Sequence, residues 1–173
     1  SSFVAGGLVA CFEDDYGDVS SVHVEATTLR GSMVGGLFGR ATYASAEIGS
    51  SVSNIFVDIE VYEAEENSVV AGGFAALLTT RDADFTFSDN TVNLAMPNAT
   101  DLVTAGGLVG NFFYDAGRSV ELRNQNNTID FFVNSTGYNT YAGGLFGTGS
   151  FENVSITDSL NRIHAVIATK GSG

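Results

Sequence analysis

A pair of adjacent glycines recurs five times in this chain, and no other feature restricts its fold so strongly. The copies read Ala5-Gly6-Gly7-Leu8-Val9-Ala10, Val34-Gly35-Gly36-Leu37-Phe38-Gly39, Ala71-Gly72-Gly73-Phe74-Ala75-Ala76, Ala105-Gly106-Gly107-Leu108-Val109-Gly110 and Ala142-Gly143-Gly144-Leu145-Phe146-Gly147. From first glycine to first glycine the spacings are 29, 37, 34 and 37 residues. Self-similarity at such a period is the mark of a repeat architecture, in which each unit is covered by its neighbours.

Between the glycine pairs lies a second landmark, a short alternating run: Val22-His23-Val24, Ile55-Phe56-Val57, Val92-Asn93-Leu94, Ile129-Asp130-Phe131 and Ile163-His164-Ala165. Its outer members are apolar in every copy and its middle member varies, the pattern of a half-buried strand. A third apolar segment sits just upstream in the later copies, at Phe85 and Phe87, Val120 and Leu122, and Val154 and Ile156. Each unit thus holds about three strands, and no window carries a helical period. Strands in this order, too far apart for hairpins, close by winding. The predicted fold is all-β, a single parallel β-solenoid (β-helix) domain over 1–173, with about five coils of 29–37 residues and roughly three strands per coil. Equivalent positions then stack about 4.8 Å apart.

In that fold Gly6, Gly7, Gly35, Gly36, Gly72, Gly73, Gly106, Gly107, Gly143 and Gly144 form columns that let layers or a corner approach closely. Leu8, Leu37, Phe74, Leu108 and Leu145 stack inside. The next column, Val9, Phe38, Ala75, Val109 and Phe146, is apolar too. Either the strand bends after the leucine or something covers this outer face, and we favour the bend.

The repeated "GGLFG" and "GGLVG" with short apolar strands between them resemble the GLUG motif of bacterial and protist cell-surface proteins, including non-catalytic parts of some immunoglobulin A peptidases. All five copies take part, although Ala10 and Phe74-Ala75-Ala76 depart from the pattern. The resemblance implies a secreted or cell-surface location and a structural role. A weaker likeness links Phe87-Ser88-Asp89-Asn90 to the F-x-x-N half of the repeats in chlamydial polymorphic outer-membrane proteins.

Composition excludes several partners. Twenty acids against 7 bases leave a net charge of −13, which repels phosphate backbones and anionic lipid, so neither nucleic acid nor membrane is an expected partner. No run reaches the ~20 apolar residues of a spanning helix, and Ser1 does not open a signal peptide, so we expect a soluble segment from which any leader has gone. One cysteine excludes an internal disulfide framework, and Cys11 reads as a buried, inert thiol.

The search for chemistry yields alternatives rather than a reaction. His23 and His164 fall at the same outward position of the first and last coils, ~19 Å apart on strand spacing and too far for one site. Asp14, Asp15 and Asp18 in "EDDYGD" form a solvated acidic corner or, as the alternative, a calcium site, the one cofactor considered. Glu63, Glu65 and Glu66 are a weaker cluster of the same kind. Tyr43, Tyr114 and Phe151 each lie eight residues after a first glycine, an aromatic row that either stacks on itself or meets sugar rings, the former favoured. The alternating strand's outward column offers Asp130 beside Asn93, which is no carboxylate dyad. Sequons at Asn98, Asn126, Asn134 and Asn153 permit glycosylation.

These readings lead to a non-enzymatic structural or adhesive module of a secreted or surface protein. Its expected partners are other copies or neighbouring repeats, joined end to end into a filament, or a surface glycan or receptor. The alternative is a carbohydrate-binding or carbohydrate-cleaving β-helix. An ice-binding face is a third idea, and the irregularly placed threonines speak against it. Neither end offers a helical or charged cap, so the segment is expected to be either part of a longer array or an end-stacking subunit. Lys170-Gly171-Ser172-Gly173 reads as a linker remnant or a degenerate repeat start.

Overall fold

In the computed structural model, which describes residues 3–45, 47–63, 68–100, 102–137 and 139–169, the glycine pairs lie in line. Gly6, Gly35, Gly72, Gly106 and Gly143 are successive ladder partners in one parallel sheet. That short sheet consists of Val4–Gly6, Met33–Gly35, Val69–Gly72, Val103–Gly106 and Thr140–Gly143. The chain is a parallel β-solenoid of three sheets, each crossed by every rung. No described residue is helical.

The second sheet begins two residues beyond each glycine pair, with Val9–Asp14, Phe38–Tyr43 and Ala75–Thr80 in the first three rungs. There the chain breaks at a corner and resumes as Asp18–Ser20, Ser50–Ser53 and Asp84–Ser88. In the last two rungs it runs on through the corner as the single strands Val109–Gln125 and Phe146–Ser159. The sequence pattern missed the resumed strand in the first two rungs because "DVS" and "SSVS" each carry one apolar residue. The third sheet holds the alternating strands His23–Gly31, Phe56–Glu63, Thr91–Ala99, Thr128–Ser135 and Arg162–Thr169.

Both expected uses of the glycine pair are present. A Cβ on Gly35 would overlap the carbonyl of Phe38, so the first glycine permits the corner itself. A Cβ on Gly36 would overlap the carbonyl of Gly73 in the next rung and the side chain of Val57 across the interior, so the second permits close stacking. The bend also accounts for the doubly apolar run. Phe38, Ala75 and Val109 are buried as fully as Leu37, Phe74 and Leu108. At the bend two consecutive N–H groups converge on one carbonyl: Leu37 and Phe38 both donate to the Phe74 oxygen, at 3.2 and 2.9 Å.

Inside, rings interlock. Phe112 packs against Phe85, Phe87, Phe146 and Phe151 with centroids 5.2 to 6.3 Å apart, in mostly edge-on geometries, and stacks on Tyr114 at 5.8 Å. Tyr43 meets Phe85 edge-on at 5.4 Å. The aromatic corner row is therefore interior. Tyr43 and Tyr114 are buried, Phe151 is half-buried, and Thr80 separates the two tyrosines in the ladder, so the row is neither an exposed sugar platform nor a continuous stack.

The third sheet corrects the register of the alternating runs. Val24, Val57, Val92, Ile129 and Ile163 share one inward column, so the first two runs stand two residues out of step with the alignment that sequence favoured. Matching apolar outer members placed Val22 and Ile55 beside Val92. They sit instead in the column of three asparagines, Asn90, Asn127 and Asn161, shown by Thr91 donating to the Ile55 carbonyl and Thr128 to that of Asn90.

This column begins just after a sharp corner, where Ser21, Asn54, Asp89, Asn126 and Leu160 take φ between 50° and 56° in successive rungs. Left-handed backbone suits Asn and Asp but costs more at Leu160. Inward of the corner the asparagines form a ladder. Asn90 Nδ2 donates to Asn127 Oδ1 at 2.9 Å, and Asn127 Nδ2 to Asn161 Oδ1 at 2.9 Å. The same amides donate back to the carbonyls of Val52, Phe87 and Asn124 in the preceding rung at 3.0 to 3.2 Å, so Asn90 and Asn127 each tie their rung to both of its neighbours.

Candidate functional site

The outer face of the third sheet carries a groove that combines several polar side chains with an exposed ring. Inward positions of these strands are apolar, so alternation sends the intervening side chains to solvent. The corrected register assembles them into a column of Glu25, Asp58, Asn93, Asp130 and His164, one per rung. Two residues further along, Glu60, Ala95, Phe132 and Val166 form a parallel column. Small Ala95 between Glu60 and Phe132 leaves a depression of about 420 Å³, bordered by Asp58, Asn93 and Asp130.

The outward column therefore holds three carboxylates, where the sequence alignment placed Asp130 alone. Glu25 and Asp58 occupy adjacent rungs, while Asp58 and Asp130 flank Asn93 at about 10 Å on rung spacing. His164 closes the column with Nδ1 3.2 Å from Asp130 Oδ1. Tyr62 donates its hydroxyl to Glu60 at 3.3 Å. Acceptors, one amide and an exposed phenyl edge are groups that can hold a hydroxyl-rich or cationic ligand.

His23 lies outside this column. It pairs in register with Phe56, on whose ring it stacks at 4.6 Å, and its Nε2 is 3.7 Å from Glu25. The two histidines thus occupy different columns as well as different ends.

The acidic corner is held by hydrogen bonds within its own turn and to the next rung. Asp18 Oδ1 accepts from the Ser51 hydroxyl at 2.7 Å, Asp14 Oδ1 accepts from the Asp15 N–H, and the Asp15 carbonyl accepts from Ala44 and Ser45. Among the described residues no three His, Cys, Asp or Glu side chains are grouped to hold a metal ion. Glu63 accepts from the Thr100 N–H and hydroxyl, while Glu65 and Glu66 lie outside the described residues, as does the tail from Lys170 to Gly173.

A related acidic corner, Arg81-Asp82-Ala83-Asp84, which the sequence reads as solvated, holds one acid that is buried. Asp82 sits at the corner beyond Thr80, takes the Ser45 N–H on Oδ1 at 3.1 Å, and offers its carbonyl to the Tyr114 hydroxyl. Burial pushes its pKa up to about 6, offset only in part by hydrogen bonds from Ser50 and Ser45. Tyr43 is pushed up well above the usual phenol range, first by burial and then by the neighbouring carboxylates of Asp82, Asp14 and Asp18.

Cys11 is exposed, contrary to the buried reading, because it occupies the outward column with Arg40 and Asn111. Asn98, Asn126 and Asn153 are exposed. Asn134 is half-buried and donates Nδ2 to the Pro97 carbonyl at 2.9 Å. Residues that sequence reasoning missed, above all the Asn90–Asn127–Asn161 ladder, did leave a signal, an asparagine two positions before the inward Val92, Ile129 and Ile163.

Comparison with family models, with curated proteins and with solved structures found no match to this chain. Among the described residues no helix is long and apolar enough to cross a membrane.

Proposed function

We propose that this chain is a non-enzymatic structural or adhesive module of a secreted or cell-surface repeat protein of the GLUG kind. The supporting observation is where regularity resides. The columns that repeat rung after rung, glycines, leucines and valines, are packing columns. The outward column changes chemistry at nearly every step, from Glu25 through Asn93 to His164. Uniform interior and variable exterior suit a stiff support whose surface is free to differ.

The test is a panel of acidic and neutral polysaccharides, followed for new reducing ends and for unsaturated uronate absorbance, with a glycan array in parallel. No turnover is expected. Turnover abolished by Asp130→Asn would replace this reading by the second one, a carbohydrate-binding or carbohydrate-cleaving β-helix. That alternative is favoured by one observation, the depression where Phe132 stands beside Asp130 and Asn93.

A further inference from the structure

Every charged side chain that borders the depression on the third sheet is a carboxylate: Glu25, Asp58, Glu60 and Asp130, with no Lys or Arg among the residues lining it. Asp130 meets His164 through Oδ1, Glu25 meets His23 through Oε2, and Glu60 takes the Tyr62 hydroxyl on Oε2, so each keeps its second oxygen. Asp58 has no partner among the described residues. The floor is equally particular. Ala95 lies between Glu60 and Phe132 in one column, and Asn93 stands two residues before it on the same strand. A ligand resting on Ala95 has Glu60 on one side along the column and the Phe132 ring, 37% exposed, on the other. The half-buried Asn93 amide lies at its flank, and Asp58 and Asp130 stand at two corners, about 10 Å apart on rung spacing. Asp58, Glu60, Asn93, Ala95, Asp130 and Phe132 all belong to the three middle rungs, each with a strand on either side.

We infer that this depression seats an amino-sugar residue of an oligosaccharide, with protonated amines on the carboxylates, the sugar ring against Phe132 and hydroxyls on Asn93. The inference rests on the adhesive form of the reading above and names the class of glycan held. Charge selects the amine. An acidic glycan is repelled by four carboxylates and a net charge of −13, and a neutral one leaves those carboxylates partly desolvated with no counter-charge. An ammonium brings three donors and no acceptor, the complement of free carboxylate oxygens.

Shape and the remaining groups select the sugar. A linear amine leaves most of the roughly 420 Å³ unfilled and makes no use of Asn93, whose amide both donates and accepts as neighbouring hydroxyls require. An aromatic side chain beside a few convergent polar groups is the usual wall of a small-ligand site. Two carboxylate corners two rungs apart let an oligomer with an amine on each residue engage both, so affinity rises with chain length.

The probe is the β-1,4-linked tetramer of glucosamine, titrated calorimetrically at about pH 5.5, where amines are protonated and ordinary carboxylates ionised. Binding is expected, and the N-acetylated tetramer, with the same rings and no charge, should bind at least about tenfold more weakly. Asp58→Asn, Asp130→Asn and Phe132→Ala should each weaken the complex severalfold, and Ala95→Phe, which fills the seat, should abolish it. Glu152→Gln, which removes an exposed carboxylate on the second sheet, should leave the affinity unchanged. All five positions lie on outer faces, so unchanged melting of each variant verifies that it folds. Spermine separates charge from sugar: it should bind more weakly than the glucosamine tetramer and be indifferent to Phe132→Ala. Equal binding of the two tetramers, spermine binding as tightly as the glucosamine tetramer, or no binding at all would overturn the inference, the last while leaving the structural reading intact. New reducing ends from the bound tetramer would support the seat and remove the non-enzymatic reading.

Discussion

Asn127 sits directly between Asn90 and Asn161, accepting the Asn90 side-chain amide on its oxygen and giving its own to the next rung, each bond 2.9 Å long. The three buried or half-buried amides act as one unit, so the middle member matters most.

Asn127→Ala removes partners from Asn90, Asn161 and the Phe87 carbonyl at once. We expect a loss of about 3 kcal/mol in urea unfolding, from desolvated groups left unpaired. Asn90→Ile should cost about 2 kcal/mol, less than Asn127→Ala because Ile55 shows that the column accepts an isoleucine, but the Ile55 N–H and the Val52 carbonyl lose the Asn90 amide along with Asn127.

The glycines divide by environment. A Cβ at Gly107 would overlap the Gly144 carbonyl and the Ile129 side chain, both fixed, and Gly107→Ala should destabilise by about 3 kcal/mol. Gly117, at φ +67 with nothing near its missing Cβ, should lose only about 1 kcal/mol on substitution by Ala, the cost of left-handed backbone. Thermal melts of the two variants distinguish crowding from backbone preference.

Phe112 touches five other rings, and Phe112→Ala opens a cavity where strands from several rungs meet. A loss of about 4 kcal/mol is expected. Phe113, the next residue, faces outward and is exposed, so Phe113→Ala should change the urea midpoint little.

Asp82 predicts a pH dependence. Its folded pKa, about 6, lies above its value of 3.8 in the absence of burial, so the folded state holds the proton more tightly. Its contribution to stability is complete below about pH 4 and is lost as pH rises through 6. A shift of this size corresponds to about 3 kcal/mol at most. The difference in unfolding free energy between the native chain and Asp82→Asn, measured from pH 4 to pH 7.5, should fall across that window and then level off.

The solenoid was legible because Gly-Gly recurs at rung length, and no hairpin or helical packing places those pairs in line. The bend at Leu37 and Phe38 was legible for a related reason, two consecutive apolar residues being incompatible with a straight two-faced strand. The register of the third sheet was not, because an asparagine can replace Val22 or Ile55 in the interior once a neighbour supplies its partner, and apolar matching cannot see that exchange. The same slip hid Glu25 and Asp58 from the column of Asp130, and with them the groove. The burial of Asp82 depends on the path of the turn beyond Thr80, whose hydroxyl takes the Asp82 N–H and which brings the Asp82 carbonyl to the Tyr114 hydroxyl of the next rung, and alternation along a strand does not reach into such a turn.

Because Gly72 overlies Gly35 and lies beneath Gly106, the stretch between two such glycines is interchangeable with its neighbours as a building block. Duplication or loss of one whole block would leave every remaining hydrogen-bonded pair with a suitable mate. A gene encoding such a chain can therefore change the length of its product by simple recombination, without first passing through a misfolded ancestor.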